Sequence, residues 1–367
     1  MSFTTNYSTD KVLAQRWRGY ILVVVICFFL ARLTVDVQAQ TSTPIPAPPG
    51  ATGVEHPSSA PNAAPATQSN GQTTPLPQAE QQAPADGQDS VFVFKKEVQE
   101  VMLHATVVDE QRRLVTNLDK SAFTVFEDGV AQKTTSFHRD DVPVAMGIVI
   151  DNSGSMREKR DKVNQAVVNL IKAGNPNDEI FVVNFSQDSY LDQDFTSDIN
   201  LLQQALHKVS ARGSTALYDA IVASAVHLKN NTRVDRKVLL VITDGRDNAS
   251  QETLQQAARR LQQENGPTLY AIGLLSDELQ QSGIDALQSL ADSTGGVAFF
   301  PKGLDEVDDI TRTVAHDIRS RYTIGYKPIR PRESGGYRAI AVRALAPGYR
   351  KLTVRTRSGY YSGEAVR

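Results

Sequence analysis

Residues 143–318 alternate between two hydrophobic textures. In residues 144–150, 180–185, 238–243, 269–275 and 297–300 nearly every side chain is apolar. Between these runs the apolar positions recur every three or four residues. Val163, Ala166, Val167, Leu170 and Ile171 form one such stripe, and Leu201, Leu202, Ala205, Leu206 and Val209 form another behind a capping Asp198. Residues 217–228, the set Leu254, Ala257, Ala258 and Leu261, and residues 284–291 and 307–318 continue the pattern. A strand is apolar on both faces when both faces are covered, and a helix with one apolar stripe lays it on a neighbour. The alternation therefore predicts an α/β fold, a doubly wound and mostly parallel sheet between helices, with residues 190–195 returning as an edge strand.

The flanks have a different texture. Residues 98–108 and 122–127 are rich in β-branched and aromatic side chains, and Asp128-Gly129 after them is a turn signal. Residues 322–326, 337–343 and 351–355 alternate in polarity, with Gly335-Gly336 and Pro347-Gly348 as turns. The flanks, residues 91–142 and 319–367, are expected to pair into one small antiparallel β-sandwich beside the α/β domain of residues 143–318. Ahead of them, residues 40–90 are expected to form a disordered spacer. Residues 41–90 hold ten of the seventeen prolines and no aromatic, Lys or Arg residue, too little apolar surface to offset the entropy of ordering.

Residues 1–39 read as a signal peptide: Lys11, Arg16 and Arg18 precede an apolar core at residues 21–31, and Val37-Gln38-Ala39 is an acceptable cleavage site. The alternative is an uncleaved membrane anchor over residues 20–37, which Arg32 and Asp36 shorten. On either reading the rest of the chain is exported, to a periplasm, a cell envelope or the medium. Cys27, the only cysteine, lies in that apolar core, so disulfides, thiolate metal sites and a cysteine nucleophile are excluded from the processed chain. The formal net charge of -2 conceals segregation: residues 319–367 carry twelve Lys or Arg against two Glu, and residues 91–318 sum to -10.

Candidate chemistry gathers at strand ends. The first apolar run ends Ile150-Asp151-Asn152-Ser153-Gly154-Ser155, another ends Ile242-Thr243-Asp244-Gly245, and Gly213-Ser214-Thr215 lies in a loop between them. Open α/β sheets bind ligands at the carboxyl ends of their strands, near the point where strand order reverses. Asp151, Ser153 and Ser155, spaced by two, can aim three oxygens at one point, with Gly154 read as permitting the tight backbone. Thr215 adds a hydroxyl and Asp244 a carboxylate. Five hard oxygen donors without imidazole or thiolate suit Mg²⁺, Mn²⁺ or Ca²⁺, and so few charges suit Mg²⁺ best.

This set resembles the metal-ion-dependent adhesion site of von Willebrand factor type A domains, in which Asp-x-Ser-x-Ser is followed by Thr and then Asp. The resemblance covers residues 143–318. It implies that Ser153, Ser155 and Thr215 touch the metal through their hydroxyls, that Asp151 and Asp244 hold it mainly through water, and that a partner protein supplies an Asp or Glu carboxylate. Residues 122–132, 322–328 and 351–361 resemble the edges of a bacterial family related to these domains, which extends the fold inference to residues 91–363. Apart from the resemblance, Asp247 is read either as a polar loop residue or as support for the site and a partner contact, and Asp219 as an ordinary helix residue.

The motifs of several enzyme classes are missing: the second Asp of an aspartyl phosphotransferase, a phosphate loop, a serine elbow and His-Glu-x-x-His. The chain is therefore expected to bind rather than catalyse. A second expectation comes from the basic carboxyl-terminal strands, whose cations and six tyrosines could grip anionic glycans or lipid head groups. Export argues against nucleic acid as the target.

Overall fold

A computed structural model describes residues 100–207, 211–274, 276 and 279–363. The signal-peptide and spacer expectations, together with Val209 and Leu275, lie outside the described residues. Among the described residues no helix is long and apolar enough to cross a membrane.

The α/β domain is built on a six-stranded sheet of β5 (Ala145–Asp151), β6 (Glu179–Phe185), β7 (Ser189–Thr196), β8 (Lys237–Thr243), β9 (Thr268–Gly273) and β10 (Ala298–Phe299). Its strand order is β10-β9-β8-β5-β6-β7, with β7 the one antiparallel member. All seven residues of β5 are buried, as are six of seven in β6 and in β8. The helices α1 (Arg160–Lys172), α2 (Ile199–His207), α3 (Leu217–Asn231), α4 (Leu254–Leu261), α5 (Gln280–Thr294) and α6 (Val307–Arg319) cover both faces. One face packs Ile148, Ile150, Leu240 and Ile272 under α1, α2 and α6; the other packs Val149, Phe181, Leu239 and Val241 under α3, α4 and α5. Each predicted apolar run is a strand here and each predicted stripe a helix, because a sheet covered on both sides leaves its strands no polar face.

The flanks interleave. β1 (Val101–Val108), β2 (Phe123–Glu127), β3 (Val130–Gln132) and β4 (Thr134–His138) come from one end, and β11 (Tyr322–Tyr326), β12 (Gly336–Ala344), β13 (Thr353–Arg355) and β14 (Gly359–Ser362) from the other. They form two four-stranded antiparallel sheets ordered β13-β1-β11-β4 and β14-β12-β2-β3, each mixing strands of both flanks. Leu103, Val125, Tyr322, Ile324, Ile340 and Tyr360 belong to their common core. Asp128 and Gly129 adopt φ of 49° and 79°, the left-handed pair that a tight two-residue hairpin needs, and close β2 onto β3. The α/β domain is thus an insertion between the two halves of one sandwich.

Where the sandwich meets the α/β domain, three buried arginines cap helix carboxyl ends. Arg357 donates to the carbonyls of Leu261 at the end of α4 and of Gln263 and Gly266 beyond it, Arg321 to that of Gly295 after α5, and Arg236 to that of Ile318 in α6. Cations at helix carboxyl ends meet unsatisfied carbonyls and the negative end of the helix dipole. The same seam holds His104, whose Nδ1 lies 3.3 Å from Thr323 Oγ1. Burial first, then the charges of Arg236, Arg321 and Arg357, hold its imidazole down at about 3.

An unfolded histidine titrates near 6.5, so between that pH and about 3 the unfolded chain takes up a proton that the folded chain refuses, and stability falls as pH falls. One proton corresponds to ~1.4 kcal/mol per pH unit at most, and to less here because His104 is half-buried and water reaches part of it. His104→Asn should flatten that component. In urea melts between pH 7 and pH 4 the wild type should lose stability faster than the variant, and parallel curves would refute the assignment.

Candidate metal centre

Strand order reverses beside β5, which continues on one side to β6 and on the other is bordered by β8. The crevice at their carboxyl ends faces away from the seam. Backbone hydrogen bonds stitch its loops together: Asn152 N to Phe185 O at 2.6 Å, Arg212 N to Asn152 O at 2.8 Å and Ala216 N to Ser186 O at 2.7 Å. The glycine this path requires is Gly213, at φ 89°. Gly154, read from the sequence as the permissive residue, has an ordinary backbone, and a Cβ there would meet nothing within 4 Å. Gly245 serves through closeness instead: a Cβ on it would lie 3.2 Å from Thr215 Oγ1.

Four of the five candidate side chains form one hydrogen-bonded chain. Asp151 is fully buried; its Oδ1 accepts from Ser153 N at 2.7 Å and its Oδ2 from Thr243 Oγ1 at 2.6 Å. Ser153 Oγ lies 3.2 Å from Ser155 Oγ, and Ser155 Oγ donates to Asp244 Oδ1 at 2.8 Å. Thr215 stands beside them against Gly245, its amide donating to Asn248 Oδ1 at 2.8 Å. Ser155 and Gly154 give this group its opening to solvent.

Burial pushes the Asp151 carboxyl up, against the hydrogen bonds from Thr243 and Ser153, and the nearby charge of Asp244 pushes it further. Two carboxylates held together away from water are a demand for positive charge. With hydroxyl oxygens as neighbours, the donors fit a small hard cation. Among the described residues no group of three or more His, Cys, Asp or Glu is placed to hold a metal, so this hydroxyl-weighted set is not duplicated by a carboxylate cluster elsewhere.

The neighbouring acids are engaged in bracing. Asp247 Oδ1 accepts from Ser250 Oγ at 2.5 Å and from Tyr218 N at 3.3 Å, which ties the loop after β8 to the first turn of α3. Asp219 accepts from the amides of Gln251 and Glu252 at 3.0 and 2.8 Å, so it does more than fill a helix position. Sequence reasoning missed Thr243, Asn248 and Ser276, which hold Asp151, Thr215 and the Asp244 carbonyl respectively. It also missed Lys159, whose Nζ is ion-paired with Asp244 Oδ2. Thr243 alone carried a signal, as the residue before Asp244 at a strand end.

The basic strands are largely spent on the fold. Of the twelve basic residues in 319–367, Arg319, Arg330, Arg332, Arg338 and Arg355 are in ion pairs and Arg321 and Arg357 are buried on carbonyls.

Residues 146–246 match the von Willebrand factor type A domain family. No curated protein matches the sequence. Among solved structures the chain is similar to a von Willebrand factor type A protein from Catenulispora acidiphila, at 14% identity and a TM-score of 0.42, covering 73% of this chain and 74% of that one. It is similar to the PilB minor pilin from Streptococcus sanguinis at 14% identity and a TM-score of 0.42, over 49% of this chain and 62% of the pilin. A conserved hypothetical protein, BatB from Bacteroides thetaiotaomicron, aligns at 17% identity and a TM-score of 0.39, over 47% of this chain and 98% of that one.

Proposed function

We propose that the von Willebrand factor type A domain of this chain is an exported adhesion or scaffolding module that captures a carboxylate of a partner protein at a divalent cation, and that it is not an enzyme. The observation that carries this reading is the chain Asp151–Ser153–Ser155–Asp244 at the strand-order reversal, with Thr215 beside it. Ser153, Ser155 and Thr215 would hold the cation by their hydroxyls, and Asp151 and Asp244 mainly through water. Mg²⁺ suits this donor set best, with Mn²⁺ or Ca²⁺ as alternatives. When bound, the cation supplies a positive centre whose remaining positions accept an outside oxygen.

The chain's own residues hold the geometry. Thr243 and the Ser153 amide orient Asp151, and Gly245 admits the Thr215 hydroxyl. A groove of about 600 Å³ lined by Asn152, Ser186, Asp188, Tyr190, Asp192 and Arg212 adjoins the site and leaves room for partner residues beside the captured acid. Export rests on the basic start and apolar core of residues 1–39. The rival reading, anionic glycans or lipid head groups on the basic strands, is weakened by the arginines already committed to ion pairs and carbonyls.

The -10 balance of residues 91–318 repels acidic partners at long range, so capture should depend on the cation rather than on steering. The test is a pull-down from envelope extract in Mg²⁺ and in EDTA. Asp and Glu residues of the captured protein are then neutralised one at a time. One essential carboxylate, with binding lost in EDTA, is the expected result. Binding that survives EDTA and every neutralisation, but falls steeply with salt, would transfer the function to the basic strands.

A further inference from the structure

Lys159 is the residue just before α1, and its amide donates to Met156 O at 2.9 Å, which closes the turn that follows Ser155. Its side chain keeps 23% of its exposure while the Asp244 side chain it reaches has none. Asp244 therefore has both oxygens taken: Oδ1 by the Ser155 hydroxyl and Oδ2 by the Lys159 ammonium. A cation held among Ser153, Ser155 and Asp244 would need the space or the charge that this ammonium already provides. Two cations cannot share one buried carboxylate without strong mutual repulsion, since little water is present to screen them.

We infer that Lys159 is a tethered counter-ion that competes with the divalent cation for Asp244, so that loading the site is an exchange in which the ammonium swings out to solvent as the metal enters. This inference rests on the metal reading above and deepens it. A lysine suits such an exchange: its charge is a point on a flexible four-carbon stem, strongly hydrated once released, and the partly exposed side chain has a way out. Without metal the ammonium offsets one of the two buried charges, so the empty site stays assembled. The cost is a weaker affinity for metal than the donor set alone would give. Arg160, the next residue, does not take part in the exchange: its guanidinium is buried against Asn184 Oδ1 and Leu206 O.

The test has two readouts on the full chain. Mn²⁺ binding, followed by the electron paramagnetic resonance of the free ion, should be at least about tenfold tighter in Lys159→Met than in the wild type, since a competing charge has been removed. Independently, acetylation of Lys159 in the wild type by an N-hydroxysuccinimide ester, read by peptide mass spectrometry, should be several-fold faster in Mg²⁺ than in EDTA. Equal Mn²⁺ affinities for the two proteins, or acetylation of Lys159 that metal leaves unchanged or slows, would overturn the exchange and leave the metal site standing. Failure of both proteins to bind Mn²⁺ would overturn the metal reading itself along with the exchange. The acetylation arm uses the unaltered protein, so it decides the matter even if the variant misfolds.

Discussion

Asp151→Asn should abolish Mg²⁺-dependent partner capture and weaken Mn²⁺ binding by ~100-fold, with a cooperative melt in EDTA that stays within ~1 kcal/mol of the wild type. The two halves of this expectation have separate causes. Binding falls because the exchange removes one of the only two negative charges in the site. Stability holds because asparagine keeps the oxygen that accepts from Ser153 N, while the Thr243 hydroxyl retains Gly245 O as an acceptor at 3.1 Å. The lost charge was also a costly one, buried and facing Asp244. Asp151→Ala should behave differently. From the sequence it reads as the loss of one surface carboxylate, at well under ~1 kcal/mol. Asp151 is in fact fully buried, so alanine strands the Ser153 amide and unpairs a hydroxyl, at a cost of ~1–3 kcal/mol. Calorimetric Mn²⁺ titration and thermal melts of both variants check this. An Asn variant that keeps wild-type affinity would remove Asp151 from the site, and one that no longer melts cooperatively would make it a folding residue.

What was legible follows from how far each signal acts along the chain. The strands of the large sheet announce themselves because burial on both faces forbids polar residues, and five of the candidate donors stand where those strands or their loops end. β3 and β4 are not legible: Val130–Gln132 has three residues and Thr134–His138 mixes polar and apolar residues without alternating, so each is a strand only through its neighbours. Lys159 is invisible for a similar reason, since its partner lies 85 residues away and meets it only once β5 and β8 have paired. One miss was avoidable. In β12 the buried positions are Arg338, Ile340, Val342 and Ala344, a strict alternation that places Arg338 on the inner face. The same period is readable in the sequence, where Arg338 falls in step with Ile340 and Val342.

That buried arginine sets up a large stability effect. Arg338 is 1% exposed and Glu127, on β2, 2%; Arg338 Nη1 donates to Glu127 Oε1 at 3.2 Å, and the guanidinium also donates to the carbonyls of Arg330 and Pro331 at 2.9 and 2.6 Å. Glu127 Oε2 accepts from the hydroxyls of Tyr326 and Tyr360. Burial pushes both phenols up, Tyr360 to about 12, so they remain donors at any pH at which the protein is handled. Tyr326 belongs to the other sheet, so a single carboxylate ties β2, β11, β12 and β14 across the sandwich.

Removing the Glu127 carboxylate leaves a buried guanidinium without its counter-charge and two hydroxyls without that acceptor. Glu127→Ala is therefore expected to cost ~3–5 kcal/mol, a large part of the ~5–15 kcal/mol that holds a domain folded. Glu127→Gln keeps an acceptor and should cost less. The sign of the coupling is the sharper test, because replacing both partners removes the uncompensated charge. Glu127→Leu combined with Arg338→Met should be more stable than Glu127→Leu alone. Urea melts of the singles and the double, followed by tyrosine fluorescence, supply the cycle. A Glu127→Ala cost below ~1 kcal/mol would mean that water reaches the arginine and relieves its charge. A double variant no more stable than its worse single would mean that the two residues act separately, and the tie across the sandwich would then rest on the tyrosine hydroxyls.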